Sequence, residues 1–229
     1  KGTDGRVSPD RIVSVIGELS ADLVALQECD HRFGRRNGLL DPAAIRRETG
    51  MHLLVQSDAP DGHGWHGNAL LVRREPTIYR RARLKLPGFE PRGAIFAELD
   101  LGEGEFRVIA AHLGLLRRSR MDQTMALLQA FNDLPPMNTI LLGDLNEWRR
   151  RRRSALEILE PTFGPAPTVS SFPSRRPVLP LDCIFGWPNG LIVDVAAHDT
   201  PLARKASDHL PLTARAHLRV AHPILREAA

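Results

Sequence analysis

Short apolar runs alternate with polar stretches along this chain, and several of the runs stop at a charged or amide residue. Ile140-Leu141-Leu142 leads into Gly143-Asp144-Leu145-Asn146. Three consecutive aliphatic residues read as a buried strand, and Gly143 marks where it breaks into a loop. Leu23-Val24-Ala25-Leu26 is a similar run and ends in Gln27-Glu28. Residues 52–56 and 68–73 read as strands, and 94–101 with 105–113 as a hairpin about Gly102-Glu103-Gly104, its second strand ending at His112. Leu181-Asp182-Cys183-Ile184-Phe185, 191–197 and 212–218 complete the set, with Ser207-Asp208-His209 just ahead of the last.

Helical spacing is sparser. Ser8-Pro9-Asp10 is a start signal of N-cap hydroxyl, proline in the first turn and an acid behind it, followed by Ile12, Val13, Val15, Ile16 and Leu19. A short helix is expected from 42 to 50 and a long one from 117 to 134, where Pro135-Pro136 stop it. In the long helix Met121, Met125, Leu128 and Phe131 form the stripe expected to face the core. Residues 161–180 hold six prolines and read as loop. No repeat or linker divides the chain, so one domain over 1–229 is expected.

At 229 residues and 42% hydrophobic, the chain is large enough for a substantial core. No apolar run approaches the roughly 20 residues of a membrane span. Cys29 and Cys183 lack metal-type spacing and read as small buried hydrophobes, which makes a cytoplasmic setting the default. Because the chain opens on Lys1, a removed leader is left open. The net charge of +4 depends on five arginines in the single run 149–153, so the basic balance is local and argues only weakly for nucleic acid.

Five segments thus place a polar residue of catalytic type beside an apolar strand: Glu28, His112, Asp144 with Asn146, Asp182, and Asp208 with His209. Acids, amides and histidines collected at several strand ends suit hard-cation binding and phosphoryl chemistry. Mg²⁺ takes a few carboxylate oxygens and keeps water, and the charge developing on a phosphate needs fixed donors. Singly, each residue is as readily structural: Asp182 a buried acid, Asp208 a cap, His112 a core histidine. Their number and order carry the reading.

Leu26-Gln27-Glu28, Ala111-His112-Leu113, Gly143-Asp144-Leu145-Asn146, Leu181-Asp182-Cys183-Ile184-Phe185 and Ser207-Asp208-His209 resemble the ordered motifs of the endonuclease/exonuclease/phosphatase superfamily. Gly67-Asn68-Ala69-Leu70-Leu71, Arg92-Gly93-Ala94 and the Arg120/Gln123 pair also resemble positions common in its bacterial members. The resemblance implies an α/β fold, a four-layer αββα sandwich of two mixed β-sheets flanked by helices. It implies Mg²⁺ (Mn²⁺ as the alternative), with Glu28 the main ligand and Asp208 near the metal. His209 would contact the scissile phosphate and pair with Asp182. Asp144 would orient or deprotonate the attacking water, and Asn146 and His112 would hold phosphoryl oxygens, with Asn68 and Arg92 as further phosphate-binding positions. Whether Asp144 or the His209–Asp182 pair is the base stays open. The family's first strand, which ends in an Asn, has no counterpart after Lys1-Gly2-Thr3, so a sandwich lacking that strand, an N-terminally truncated domain, is expected.

The implied activity is metal-dependent phosphoester hydrolysis, with phosphodiesters first and nucleic acid ahead of lipid head groups or small phosphoesters as substrate. No aromatic-rich membrane hairpin is visible in the sequence. The alternative is a binding or scaffold module on the same fold. His63 and His66, in a Gly-rich loop with Asp58 and Asp61, read as a solvated loop rather than a second metal site. His31, His52, His198, His217 and His222 belong to no constellation. The 149–153 arginines are balanced between a phosphate-gathering patch and a solvated helix start. Trp148, Phe172 and Trp187 stack on a base or pack in the core, with packing favoured for Phe172.

Overall fold

The structure, a computed structural model, describes residues 1–31, 37–54, 57, 61–149 and 154–218. Asp58, His222 and all but the first arginine of the 149–153 run lie outside the described residues. In chain order the elements are α1 (Pro9–Leu19), β1 (Leu23–Leu26), α2 (Pro42–Thr49), β2 (His52–Leu54) and β3 (Ala69–Val72). There follow β4 (Ile78–Leu86), β5 (Arg92–Asp100), β6 (Glu105–His112), α3 (Arg117–Asn132) and β7 (Thr139–Asp144). After a 3₁₀ turn (Ala155–Ile158) come α4 (Glu160–Phe163), β8 (Asp182–Trp187), β9 (Ile192–Ala197), α5 (Pro201–Ala206) and β10 (Leu212–Ala216). No helix among the described residues is long and apolar enough to cross a membrane.

Strands β4-β5-β6-β7-β8 form one sheet, antiparallel except for the parallel β6–β7 pair. Facing it is a second layer in two pieces, β1-β3-β2 and β10-β9. The period of two along each strand sorts side chains into layers. Ile95, Ala97, Val108, Ala110 and Ile140 meet Leu70 and Val72 between the sheets. Their neighbours Ala94, Phe96, Ile109, Ala111 and Leu141 face Leu127 and Phe131 of α3 on one outer side. Leu71 faces Val13 and Ile16 of α1 and Ile45 of α2 on the other. These clusters make the expected helix–sheet–sheet–helix sandwich, and each fully buried Leu or Ile contributes about 1.5–3 kcal/mol. Both cysteines are buried and free, and burial pushes both thiols above the ordinary range.

The facing layer is divided into two pieces. β1 pairs only with β3 and β10 only with β9 among the described strands. Both β1 and β10 line one cavity of about 1140 Å³, together with Lys1 and Gly2.

The pattern reading needs correction at three helices and one strand. α3 does not turn its methionines inward: Met125 is 52% exposed, and the buried side is Ser119, Arg120, Gln123, Thr124, Leu127 and Phe131. The reason is polar. Gln123 accepts from Gly114 N at 2.8 Å and donates to the Pro87 carbonyl at 2.9 Å, while Arg120 donates to the carbonyls of Gly114 and Leu115 at 3.2 and 2.5 Å. At α1, Ser8 occupies the N-cap position without a side-chain hydrogen bond, so the favourable φ of Pro9 carries the start. α5 has only Ala203 and Ala206 buried, too little apolar pattern to announce it. Among the described strands β4 (IYRRARLKL) is an edge strand paired only with β5, and its charged side chains suit an exposed edge.

Candidate active site

Sheet register alone brings three of the nine predicted residues together. His112 at the end of β6 pairs with Asp144 at the end of β7, and Asp144 with Asp182 at the start of antiparallel β8. One row across one end of the sheet therefore holds an imidazole and two carboxylates. Gly143 makes this spacing feasible: its φ is +136°, and a Cβ there would lie 2.0 Å from the Ala111 carbonyl oxygen of β6. His209 reaches the row from the segment between α5 and β10. Its Nδ1–H donates to Asp182 Oδ2 at 2.8 Å, and its Nε2 stands 4.0 Å from Asp144 Oδ2.

His112 is fixed from behind. Arg92 Nη1 donates to His112 Nδ1 at 3.0 Å. A guanidinium only donates, so Nδ1 is the acceptor and the proton sits on Nε2, which faces Asp144 Oδ2 at 3.5 Å. Arg92 is in turn held by Glu90 at 2.9 Å. Asp144 Oδ1 accepts from Asn146 N at 2.9 Å, and Asn146 Nδ2 donates to the Leu113 carbonyl at 2.8 Å. The Asp144 carboxylate is therefore oriented by the loop that follows it, with Oδ2 left between the two imidazoles.

The electrostatics follow from crowding acids in a partly buried row. Burial, and after it the charge of Asp182, pushes the Asp144 carboxyl well above the usual carboxylate range against the smaller pulls of His209, Asn146 and Arg92. Burial by itself would lower His209. The Asp182 hydrogen bond and the charges of Asp182, Asp144 and Asp208 outweigh it and raise the imidazole to about 9.

Glu28, His112, Asp144, Asp182, Asp208 and His209 all line the large cavity. Glu28 and Asp208 are exposed. Glu28 has φ +57° and Asn146 φ +52°, so two residues singled out from strand ends hold the left-handed conformation that non-glycine residues seldom adopt. Asn68 and Arg92 are buried behind the cavity rather than in its wall. Asn68 donates to the carbonyls of Trp65 and Gly93 at 3.1 and 2.9 Å and ties that turn to β5. His63 corrects the solvated-loop reading: it is buried, and its loop is held by Asp30, which accepts from the backbone of His63 and Gly64.

Ser171 and Glu90 escape the sequence pattern, and Phe172 is read there for packing without its partner. Ser171, fully buried in the proline-rich stretch, donates its hydroxyl to Asp182 Oδ2 at 2.5 Å. Phe172 packs its ring 4.9 Å from that of His209, in line with the packing role favoured for it. Glu90 braces Arg92 and also accepts from Leu115 N at 3.0 Å. Ser171 and Phe172 lie between prolines where no periodicity singles them out, and Glu90 sits in a turn.

The residues fit a divalent cation. Ligand atoms of Asp144, Asp182 and His209 lie within 4.8 Å of one another. The exposed carboxylates of Glu28 and Asp208 line the same cavity. The upward push on Asp144 comes from burial first and from the Asp182 charge second, and a nearby cation would oppose both. Carboxylate oxygens are the donors that hard cations take.

The family model for the Endonuclease/Exonuclease/phosphatase family matches residues 2–209. The Escherichia coli (strain K12) protein YbhP is 32% identical over 173 residues, a match that covers 69% of this chain and 65% of YbhP, less than two thirds of its length. Among solved structures, a conserved protein from Enterococcus faecalis V583 superposes with a TM-score of 0.70 at 18% identity, covering 92% of this chain and 91% of that one. An endonuclease/exonuclease/phosphatase from Bacteroides vulgatus gives 0.67 at 15% identity, with 92% and 90% covered. Ordered motifs, sandwich fold and a family match over nearly the whole chain agree: this protein belongs to the endonuclease/exonuclease/phosphatase family.

Proposed function

We propose that this chain hydrolyses phosphoester bonds, phosphodiesters in the first place, by metal-assisted in-line attack of water. The observation that carries the reading is the row His112–Asp144–Asp182 with His209 across it, all opening on one cavity. Asp144 Oδ2 lies between two imidazoles, placed to orient a water and take its proton. His112, held as the Nε2–H tautomer by Arg92, donates to a phosphoryl oxygen. His209 has its Nδ1 engaged by Asp182, which leaves Nε2 for the phosphate. Asn146 holds the Asp144 carboxylate through its backbone N–H, while its side-chain amide is tied to the Leu113 carbonyl rather than lining the cavity. A divalent cation, Mg²⁺ or Mn²⁺, supplies charge neutralisation at the phosphoryl oxygens when bound, and Glu28 and Asp208 are the residues that would hold it.

Asp144→Asn keeps the shape of the site and removes its base. Its turnover of bis(p-nitrophenyl) phosphate in Mg²⁺ is expected to fall about 10²- to 10⁴-fold with an unchanged far-UV spectrum. A variant that retains wild-type turnover would remove Asp144 from the chemistry. A folded wild type and Asp144→Asn that are equally inert across DNA, RNA and phospholipid would favour the scaffold alternative.

A further inference from the structure

Four of the eight large apolar side chains exposed among the described residues sit on three loops at the site end of the five-stranded sheet. Phe89, 92% exposed, is in the β4–β5 loop. Leu115 and Leu116, 65% and 55% exposed, lie between β6 and α3, and Trp148, 51% exposed, follows β7. Hydrogen bonds keep these loops side by side. Glu90 accepts from Leu115 N at 3.0 Å, and Arg120 donates to the Leu115 carbonyl at 2.5 Å while facing Glu147 at 3.6 Å. Glu147 accepts from Arg149 N at 2.9 Å. His112 ends the strand before one loop and Asn146 lies two residues before Trp148, so the apolar rim borders the candidate site. Arg118 and Arg149 are exposed beside it, the Arg149 guanidinium 5.1 Å over the Trp148 ring.

Singly exposed apolar residues are ordinary; a group of them gathered on braced loops beside a polar cleft marks an interaction surface. We propose that this rim seats the protein on an anionic phospholipid bilayer, so that the phosphoester offered to the site belongs to a lipid head group. The substrate half of this inference rests on the hydrolase reading above. Leu115 and Leu116 have no ring to stack on a base, which a single-strand platform requires. Four side chains on short loops are also well short of the roughly 20–30 residues a side of a stable protein interface. Phenylalanine and leucine entering the headgroup boundary, tryptophan at its level and arginines against lipid phosphates are the composition an interfacial contact uses. In sequence the rim is dispersed, one or two residues per loop, which is why no membrane hairpin is visible there.

The test is sedimentation of the protein with vesicles of phosphatidylcholine, alone or mixed with phosphatidylglycerol, in EDTA so that no metal-dependent turnover intervenes. The wild type is expected to sediment with the mixed vesicles and less with phosphatidylcholine alone. The triple variant Phe89→Ser/Leu115→Ser/Leu116→Ser should lose roughly tenfold or more in partitioning. Its melting temperature and its hydrolysis of soluble bis(p-nitrophenyl) phosphate should stay at wild-type levels. Serine at the N-cap position of α3, held by Leu116, favours that helix, and Trp148→Ser provides a second, independent variant. A wild type that ignores both vesicles, or folded variants that sediment as it does, would overturn the surface. Arg118→Glu/Arg149→Glu abolishing plasmid DNA binding while vesicle binding stays intact would overturn the placing of these arginines against lipid phosphates. Vesicle binding that stands while neither vesicle lipid nor soluble diester is cleaved in Mg²⁺ would leave the surface and overturn the hydrolase reading. Cleavage of the soluble diester with no cleavage of vesicle lipid would overturn the head-group assignment alone.

Discussion

His209 shows how one side chain is set by its neighbours. Its folded value of about 9 exceeds the ordinary 6.5 despite burial, because Asp182 accepts its Nδ1–H and Asp144 and Asp208 add negative charge. A raised imidazole contributes stability that is complete below the unfolded value and is lost as pH rises through the folded one. In EDTA, the melting temperature of the wild type is expected to fall between pH 6.5 and about 9 by a component that His209→Asn lacks. Parallel curves for the two proteins over that window would refute the pairing. At this scale the sequence was most legible where a polar residue ends an apolar run. Glu28, His112, Asp144 and Asp182 sit at or beside strand ends, and register then aligns three of them. Ser171 is not legible, nor is the His209 partner of Phe172, because a proline-rich loop has no period and their value lies in contacts to Asp182 and His209.

Elements built on a period of two were read well, and those whose buried face is polar were not. β7 reads as buried because Ile140 and Leu141 face opposite layers, and the β5–β6 hairpin follows from its Gly-Glu-Gly turn. In α3 hydrophobicity does not mark the inner side, because Arg120 and Gln123 turn inward to satisfy loop carbonyls. A similar buried polar device joins β5 to β6. Arg107, fully buried, is the cross-strand partner of Glu98, which accepts from its Nη2 at 2.7 Å and its Nε at 3.2 Å. Removing the carboxylate leaves the guanidinium with the Pro135 carbonyl at 3.1 Å as its remaining described acceptor. Glu98→Ala is therefore expected to cost about 3 kcal/mol in urea denaturation, the scale of breaking a buried ion pair. A loss below about 1 kcal/mol would place this pair with ordinary surface bridges.

At the scale of the molecule, two layers of unequal completeness meet over the cavity. The five-stranded sheet is continuous and fixes the row of His112, Asp144 and Asp182, while the facing layer is split between β1 and β10. The cavity runs from that split to the site. The fold class was legible because strand order and motif order are the same information read twice. The apolar rim was not, because it exists only once three separate loops are brought to one end of a sheet. The most direct test of the central claim is turnover of bis(p-nitrophenyl) phosphate by the wild-type chain in Mg²⁺, then after EDTA, then after Mg²⁺ is restored. Hydrolysis is expected to vanish with the chelator and to return with the metal. Turnover that EDTA leaves untouched, or none at any Mg²⁺ concentration from a folded chain, would contradict it.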